Sequence, residues 1–140
     1  MSEEAIAAVL RRLDPAPFWD HVGARLVEAG DGRAVVHIPG RPEFGRSGGA
    51  GDGTAHGGIV ATAIDMAASC SLITVLAEDE GRTTIDLSVH YLAPARGDLK
   101  ATATVRRRGG RTAIIDIELE CGGELAALGR ATFAILRPTK

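Results

Sequence analysis

The chain reads as an α+β domain in which one antiparallel sheet wraps a single long buried helix. Three observations predict this. From Ile59 to Leu76 almost every side chain is apolar or small, no proline intervenes, and the run is too long for a buried strand. Four stretches of alternating apolar and polar residues follow it, joined largely by short glycine-bearing turns, and two shorter ones precede it. A soluble helix that is apolar on all sides must be enclosed, and alternating strands offer an apolar face to enclose it.

Residues 3–12 predict a short amphipathic helix with Ala5, Ile6, Val9 and Leu10 on its apolar side. Asp14-Pro15-Ala16-Pro17 ends it, and Phe18, Trp19 and Val22 anchor the next turn on the body. Arg25–Glu28 and Arg33–Ile38 form two short strands around the hairpin signal Gly30-Asp31-Gly32. A glycine-rich loop runs from Pro39 to Gly53, with Phe44 its one large apolar residue. It is not a phosphate loop: no lysine follows at Walker spacing, and the third glycine of a dinucleotide fingerprint is missing.

Beyond the helix, Thr83–Leu92 alternates, with Ile85, Leu87, Val89 and Tyr91 on one side and Thr84, Asp86, Ser88 and His90 on the other. Pro94, Gly97 and Asp98 mark a turn before Leu99–Arg107. Gly109-Gly110 and Gly122-Gly123 are hairpin signals on either side of Thr112–Cys121, and Glu124–Leu136 is the last strand. Asp86 and His90 share a face, which reads as solvated rather than as an acid–base pair.

A length of 140 residues favours one domain, 1–140, with 1–22 as an N-terminal helical segment and 23–137 as the core. The formal net charge of -2 gives no basic field for nucleic acid. Cys70 and Cys121 lack C-x-x-C or zinc spacing, so two reduced thiols in a cytoplasmic protein are expected. The N-terminus has no signal-peptide layout. Asp65 within the apolar run, the glycines before it and the strands after it argue for a core helix rather than a membrane span. No H-E-x-x-H or clustered Cys/His set is present, so no metal is expected.

Within the apolar run Thr62, Asp65 and Ser69 fall on one stripe. A carboxylate among Ile64, Met66, Ala67 and Ala68 is costly unless bonded, solvated through a cleft, or used. A helix starting at Gly57 would present unpartnered N–H groups at the positive end of its dipole, and Gly57 and Gly58 let a ligand oxygen approach them. That suits an oxyanion. Asp65 lies eight residues on, roughly 12 Å along the axis. One helix therefore cannot easily serve one reacting carbon from both positions. Two antiparallel helices can, which predicts a homodimer with two interface active sites.

These residues resemble the hotdog-fold acyl-CoA thioesterases of the phenylacetic-acid-degradation (PaaI-like) group. His56-Gly57-Gly58 followed by Asp65, then Tyr91-Leu92-Ala93-Pro94-Ala95 and the Gly109-Gly110 hairpin, carry the likeness over approximately residues 30–136. The resemblance implies hydrolysis of an acyl-CoA to free acid and coenzyme A, without a cofactor beyond the coenzyme A of the substrate. It implies Gly57 as the N–H donor to the thioester oxygen and Asp65 as the catalytic carboxylate, either attacking carbon or activating water. His56 would shape the loop, while Ser69 and Thr84 would orient Asp65 or the water. Tyr91, Arg96, Arg108, Gly109 and Arg111 would meet coenzyme A, the arginines through its phosphates; Arg106 and Arg107 flank the same hairpin. The family also implies dimers of dimers. One departure stands out: where relatives often have Asn or Gln before the motif histidine, this chain has Ala50. A hydratase or dehydratase of acyl thioesters, or a non-catalytic acyl-CoA binder, are the alternatives.

Overall fold

A computed structural model of the chain describes residues 3–13, 16–46 and 52–138. Asp14, Pro15, Gly49, Ala50 and Gly51 lie outside the described residues. In chain order the elements are α1 (Glu3–Leu13), α2 (Pro17–Val22), β1 (Arg25–Gly30), β2 (Arg33–Ile38) and a 3-10 turn (Pro42–Phe44). They continue with α3 (Gly57–Ile73), β3 (Gly81–Tyr91), β4 (Leu99–Arg108), β5 (Thr112–Cys121) and β6 (Glu124–Leu136).

The six strands form one antiparallel sheet in the order β1-β2-β4-β5-β6-β3. Hairpin chemistry sets part of this order. Asp31 and Gly32 have φ of 52° and 79°, and Gly122 and Gly123 have 57° and 81°, so both two-residue turns take the left-handed backbone whose twist matches the strands they join. The expected helix-wrapping core is present. α3 lies across β4, β2 and β5, burying Val60, Ala63, Ile64, Ala67, Leu72 and their neighbours against the sheet. No helix among the described residues is long and apolar enough to cross a membrane.

α3 stops at Ile73 rather than reaching Leu76. The Thr74 hydroxyl donates to the Ser71 carbonyl and accepts the Gly32 N–H, while Val75 and Leu76 make tighter bonds to Leu72 and Ile73. The last turn is thereby tied to the β1–β2 hairpin.

The simple alternation expected for 83–92 does not hold. Thr84 pairs with Phe133 and Asp86 with Thr132, leaving Ile85 as the extra residue of a β-bulge. The bulge switches faces in mid-strand. Arg82 and Thr84 point at α3 before it, and Leu87 and Val89 pack on the core after it, while Ile85 is 59% exposed. Asp86, Ser88 and His90 remain on the exposed face, as expected. β3 is the last strand of its sheet edge and is eleven residues long. α3 contacts β3 and β6 less than it contacts β2, β4 and β5, so this end of the inner face is the less covered one.

Candidate active site

The N-terminus of α3 is built by its own sequence. His56, in the N-cap position, accepts the Gly58 N–H on Nδ1 at 2.8 Å. That bond occupies the nitrogen lone pair a base would need and fixes the imidazole as a capping group. The Gly57 N–H meets no acceptor among the described residues, which leaves the donor expected for an oxyanion open. Tyr91 donates its hydroxyl to the Gly57 carbonyl at 2.7 Å, joining the end of β3 to the start of α3. A Cβ on Gly57 would lie 3.1 Å from that hydroxyl oxygen, so a larger residue would press on Tyr91. Beside Gly57 lies a cavity of about 360 Å³ whose walls include Arg46, Thr54, Tyr91, Leu92 and Pro94.

Asp65 sits two turns further along α3, half-buried. Its Oδ1 accepts from the Thr84 hydroxyl at 2.8 Å. No cation forms an ion pair with it, and Oδ2 has no protein partner among the described residues. Ser69, one turn on, accepts from Arg82 Nε at 2.8 Å. Thr62, Asp65, Ser69 and Arg82, with Leu13, Phe18, Trp19 and Met66, line a second cavity of about 260 Å³. The two cavities share no lining residue. One chain thus carries two separate halves: an open N–H at Gly57, and a carboxylate with its hydroxyl partners at Asp65.

The coenzyme A candidates fall into two groups within one chain, Arg108, Gly109 and Arg111 at the β4–β5 hairpin and Tyr91 and Arg96 away from it. Arg96 precedes β4 and Arg108 ends it, ten residues of strand apart, a separation of roughly 30 Å. Arg96 and Arg46 share the Asp52 carboxylate at 3.3 and 3.1 Å. Thr54, whose N–H donates to Oδ1 at 2.9 Å, and then the guanidinium groups of Arg96 and Arg46 hold Asp52 far below the usual carboxylate range. Arg108 reaches Glu80 and the Gly109 carbonyl instead. Arg111 forms no ion pair among the described residues. Arg106 pairs with Asp116 at 3.6 Å.

Three neighbours of the site, Arg82, Phe18 and Trp19, are not among the site residues that the sequence predicts. Arg82 had a signal: where the resemblance sets Thr84 beside Asp65, the residue two positions back shares that face. The sequence around Phe18 and Trp19 predicts anchors for α2, and nothing local to them says that they wall the Asp65 cavity. Burial pushes the Cys70 thiol up to about 12, so the cysteine on the same helix is no nucleophile at neutral pH.

Comparison with known proteins agrees with this architecture. A family profile described as "Thioesterase superfamily" matches residues 52–127. The chain is 32% identical over 145 residues to a Halobacterium salinarum protein provisionally named an esterase, spanning 97% of this chain and 95% of that one. It is 37% identical over 95 residues to the medium/long-chain acyl-CoA thioesterase YigI of Escherichia coli, spanning 57% of this chain and 61% of that one. A thioesterase family protein from Silicibacter pomeroyi superposes with a TM-score of 0.84 over 94% of this chain and 97% of that one, a likeness of fold at 23% identity. With the profile covering the glycine start of α3, Asp65 and strands β3 to β5, the chain belongs to the thioesterase superfamily and has its hotdog fold.

Proposed function

We propose that the protein hydrolyses an acyl-CoA thioester to the free acid and coenzyme A, as a homodimer with a site at each end of its interface. The observation that carries this is the division of the chemistry into two halves on one helix, with Gly57 and Asp65 opening on different cavities. An antiparallel second copy of α3 would set Asp65 of one subunit against Gly57 of the partner subunit, twice. The long β3 edge, with Ile85 and Tyr91 59% and 55% exposed, and the lightly covered end of the inner face beside it suit such a copy. Dimers pairing again into tetramers extend the same scheme.

In this reading the thioester oxygen accepts the Gly57 N–H, reinforced by the positive end of α3. Asp65 Oδ2 faces the carbonyl carbon, and either attacks it or takes a proton from the water that does. Thr84 fixes the carboxylate through Oδ1. The carbon–sulfur bond breaks and the thiolate leaves, taking up the proton that Asp65 drew from the attacking water. Where Asp65 itself attacks, a water then opens the mixed anhydride, freeing the acid and supplying that proton. His56 takes no proton, because its Nδ1 is engaged in the helix cap. The motif His56-Gly57-Gly58…Asp65 with Tyr91…Pro94 supports the PaaI-like branch, and two unpaired buried thiols support a cytoplasmic setting. Arg111 of the hairpin is free to reach coenzyme A phosphates, since among the described residues it has no carboxylate to leave.

Ala50, where relatives often carry an amide, favours a second reading, a hotdog protein that binds acyl-CoA without cleaving it. Thiol release from a panel of aromatic and straight-chain acyl-CoAs separates the two. Release by the wild type that collapses in Asp65→Ala supports hydrolysis. Coenzyme A binding without release across the panel supports the binder.

A further inference from the structure

Arg82 is withdrawn into the Asp65 cavity, and among the described residues it has no counter-charge of the kind that the part-buried Arg108 has. Arg108 meets Glu80, whereas among the described residues Arg82 makes a single side-chain bond, from Nε to the neutral Ser69 hydroxyl. Among the described residues its two Nη groups have no partner. Burial works against its charge, and the neighbouring Arg12 adds to the positive field rather than relieving it. An arginine keeps its proton under these conditions. The cavity therefore contains a standing positive charge with two free donor edges, beside apolar walls from Leu13, Phe18, Trp19 and Met66.

We propose that Arg82 determines specificity by receiving a carboxylate at the far end of the acyl group, so that the preferred substrates are thioesters of short dicarboxylic acids. This rests on the acyl-CoA reading of the Asp65 site. The spacing sets the length. Ser69 is one helical turn from Asp65, and Arg82 two strand residues from Thr84, so the guanidinium stands about 6–7 Å from the catalytic carboxylate. A thioester carbon close to Asp65 and a carboxylate in the Arg82 fork are then bridged by an acyl chain of about four to six carbons. Its methylenes would lie against Phe18 and Trp19. A neutral acyl group of equal length would leave the guanidinium without its counter-charge.

The test compares glutaryl-CoA with pentanoyl-CoA, which match in chain length and nucleotide and differ in the terminal carboxylate. Their dissociation constants are measured by calorimetry on Asp65→Asn, which stops turnover. Glutaryl-CoA should bind roughly tenfold tighter, and adding Arg82→Gln should bring the ratio to about one. Arg82→Lys, which keeps the charge without the fork, should give an intermediate ratio and serves if the glutamine variant does not fold. A ratio near one before Arg82 is changed, or a ratio that survives its loss, overturns the proposal and leaves Arg82 as a positioning residue for Ser69 or a partner for the second subunit. Thiol release by the wild type tests hydrolysis separately. A binding preference without release would remove the hydrolase reading and keep Arg82 as the selector. Release without a preference would do the reverse, and no binding of either thioester would remove both.

Discussion

Asp65 and Glu80 are both drawn in from solvent at α3 or just beyond its end, and the fold treats them oppositely. Glu80 is 6% exposed and satisfied on every side: it accepts the Ala77 N–H at 2.9 Å and pairs with Arg108 and with Arg137, the latter at 3.0 Å. Its own carbonyl accepts from Arg12. The Ala77 N–H and the Arg108 guanidinium hold its carboxyl below the usual range. Among the described residues Asp65 has one neutral hydroxyl donor and no ion pair, and it lines a cavity. Burial alone does not mark a reactive carboxylate; incomplete satisfaction does. Glu80 fastens the end of α3 to α1, the end of β4 and the end of β6, and Asp65 is left available.

The sharpest way to break this contrast is to neutralise each acid in turn. Asp65→Asn should lower kcat roughly thousandfold with little change in melting temperature, read by thiol release and thermal unfolding on the same preparation. Glu80→Gln should do the opposite, lowering the melting temperature while the folded fraction keeps its turnover, because Arg108 and Arg137 lose their anion. The pH dependence follows from the sign of the shift. A carboxyl whose folded pKa lies below its ordinary value of 4.5 contributes stability above that pH and loses it as pH falls towards the folded value. The melting gap between wild type and Glu80→Gln should therefore be full at neutral pH and close under acid conditions. A gap that widens in acid would contradict the role given to Glu80.

Smaller changes sharpen the comparison by moving Asp65 without altering it. A Cβ on Gly129 would lie 2.6 Å from Ile64 Cγ2, and Ile64 is the buried neighbour of Asp65 on α3. Gly129→Ala should cost about 1–3 kcal/mol by chemical denaturation and should depress turnover through the displaced helix. Thr84→Val removes the one hydroxyl on Asp65 at nearly constant volume. It should reduce kcat about tenfold, with the melting temperature close to that of the wild type. An equal loss in a Ser88→Val control on the outer face would mean that the effect belongs to the strand and not to the bond.

The local elements are written into the residues: the buried run that becomes α3, the alternating strands, the two glycine hairpins and the His56-Gly57-Gly58 start with Asp65 eight residues on. These are legible because helix and strand periods, turn chemistry and caps depend on neighbours a few residues apart. The tertiary structure alone decided what depends on distant partners. It placed β3 beside β6 at the sheet edge, and through the bulge at Ile85 it turned Thr84 towards Asp65, where plain alternation had set it on the face opposite Leu87. It also brought Phe18, Trp19 and Arg82 round one cavity and closed three arginines on Glu80. A one-residue bulge leaves no periodic mark of its own yet reverses every face beyond it, so register had to be decided by packing against β6 and α3.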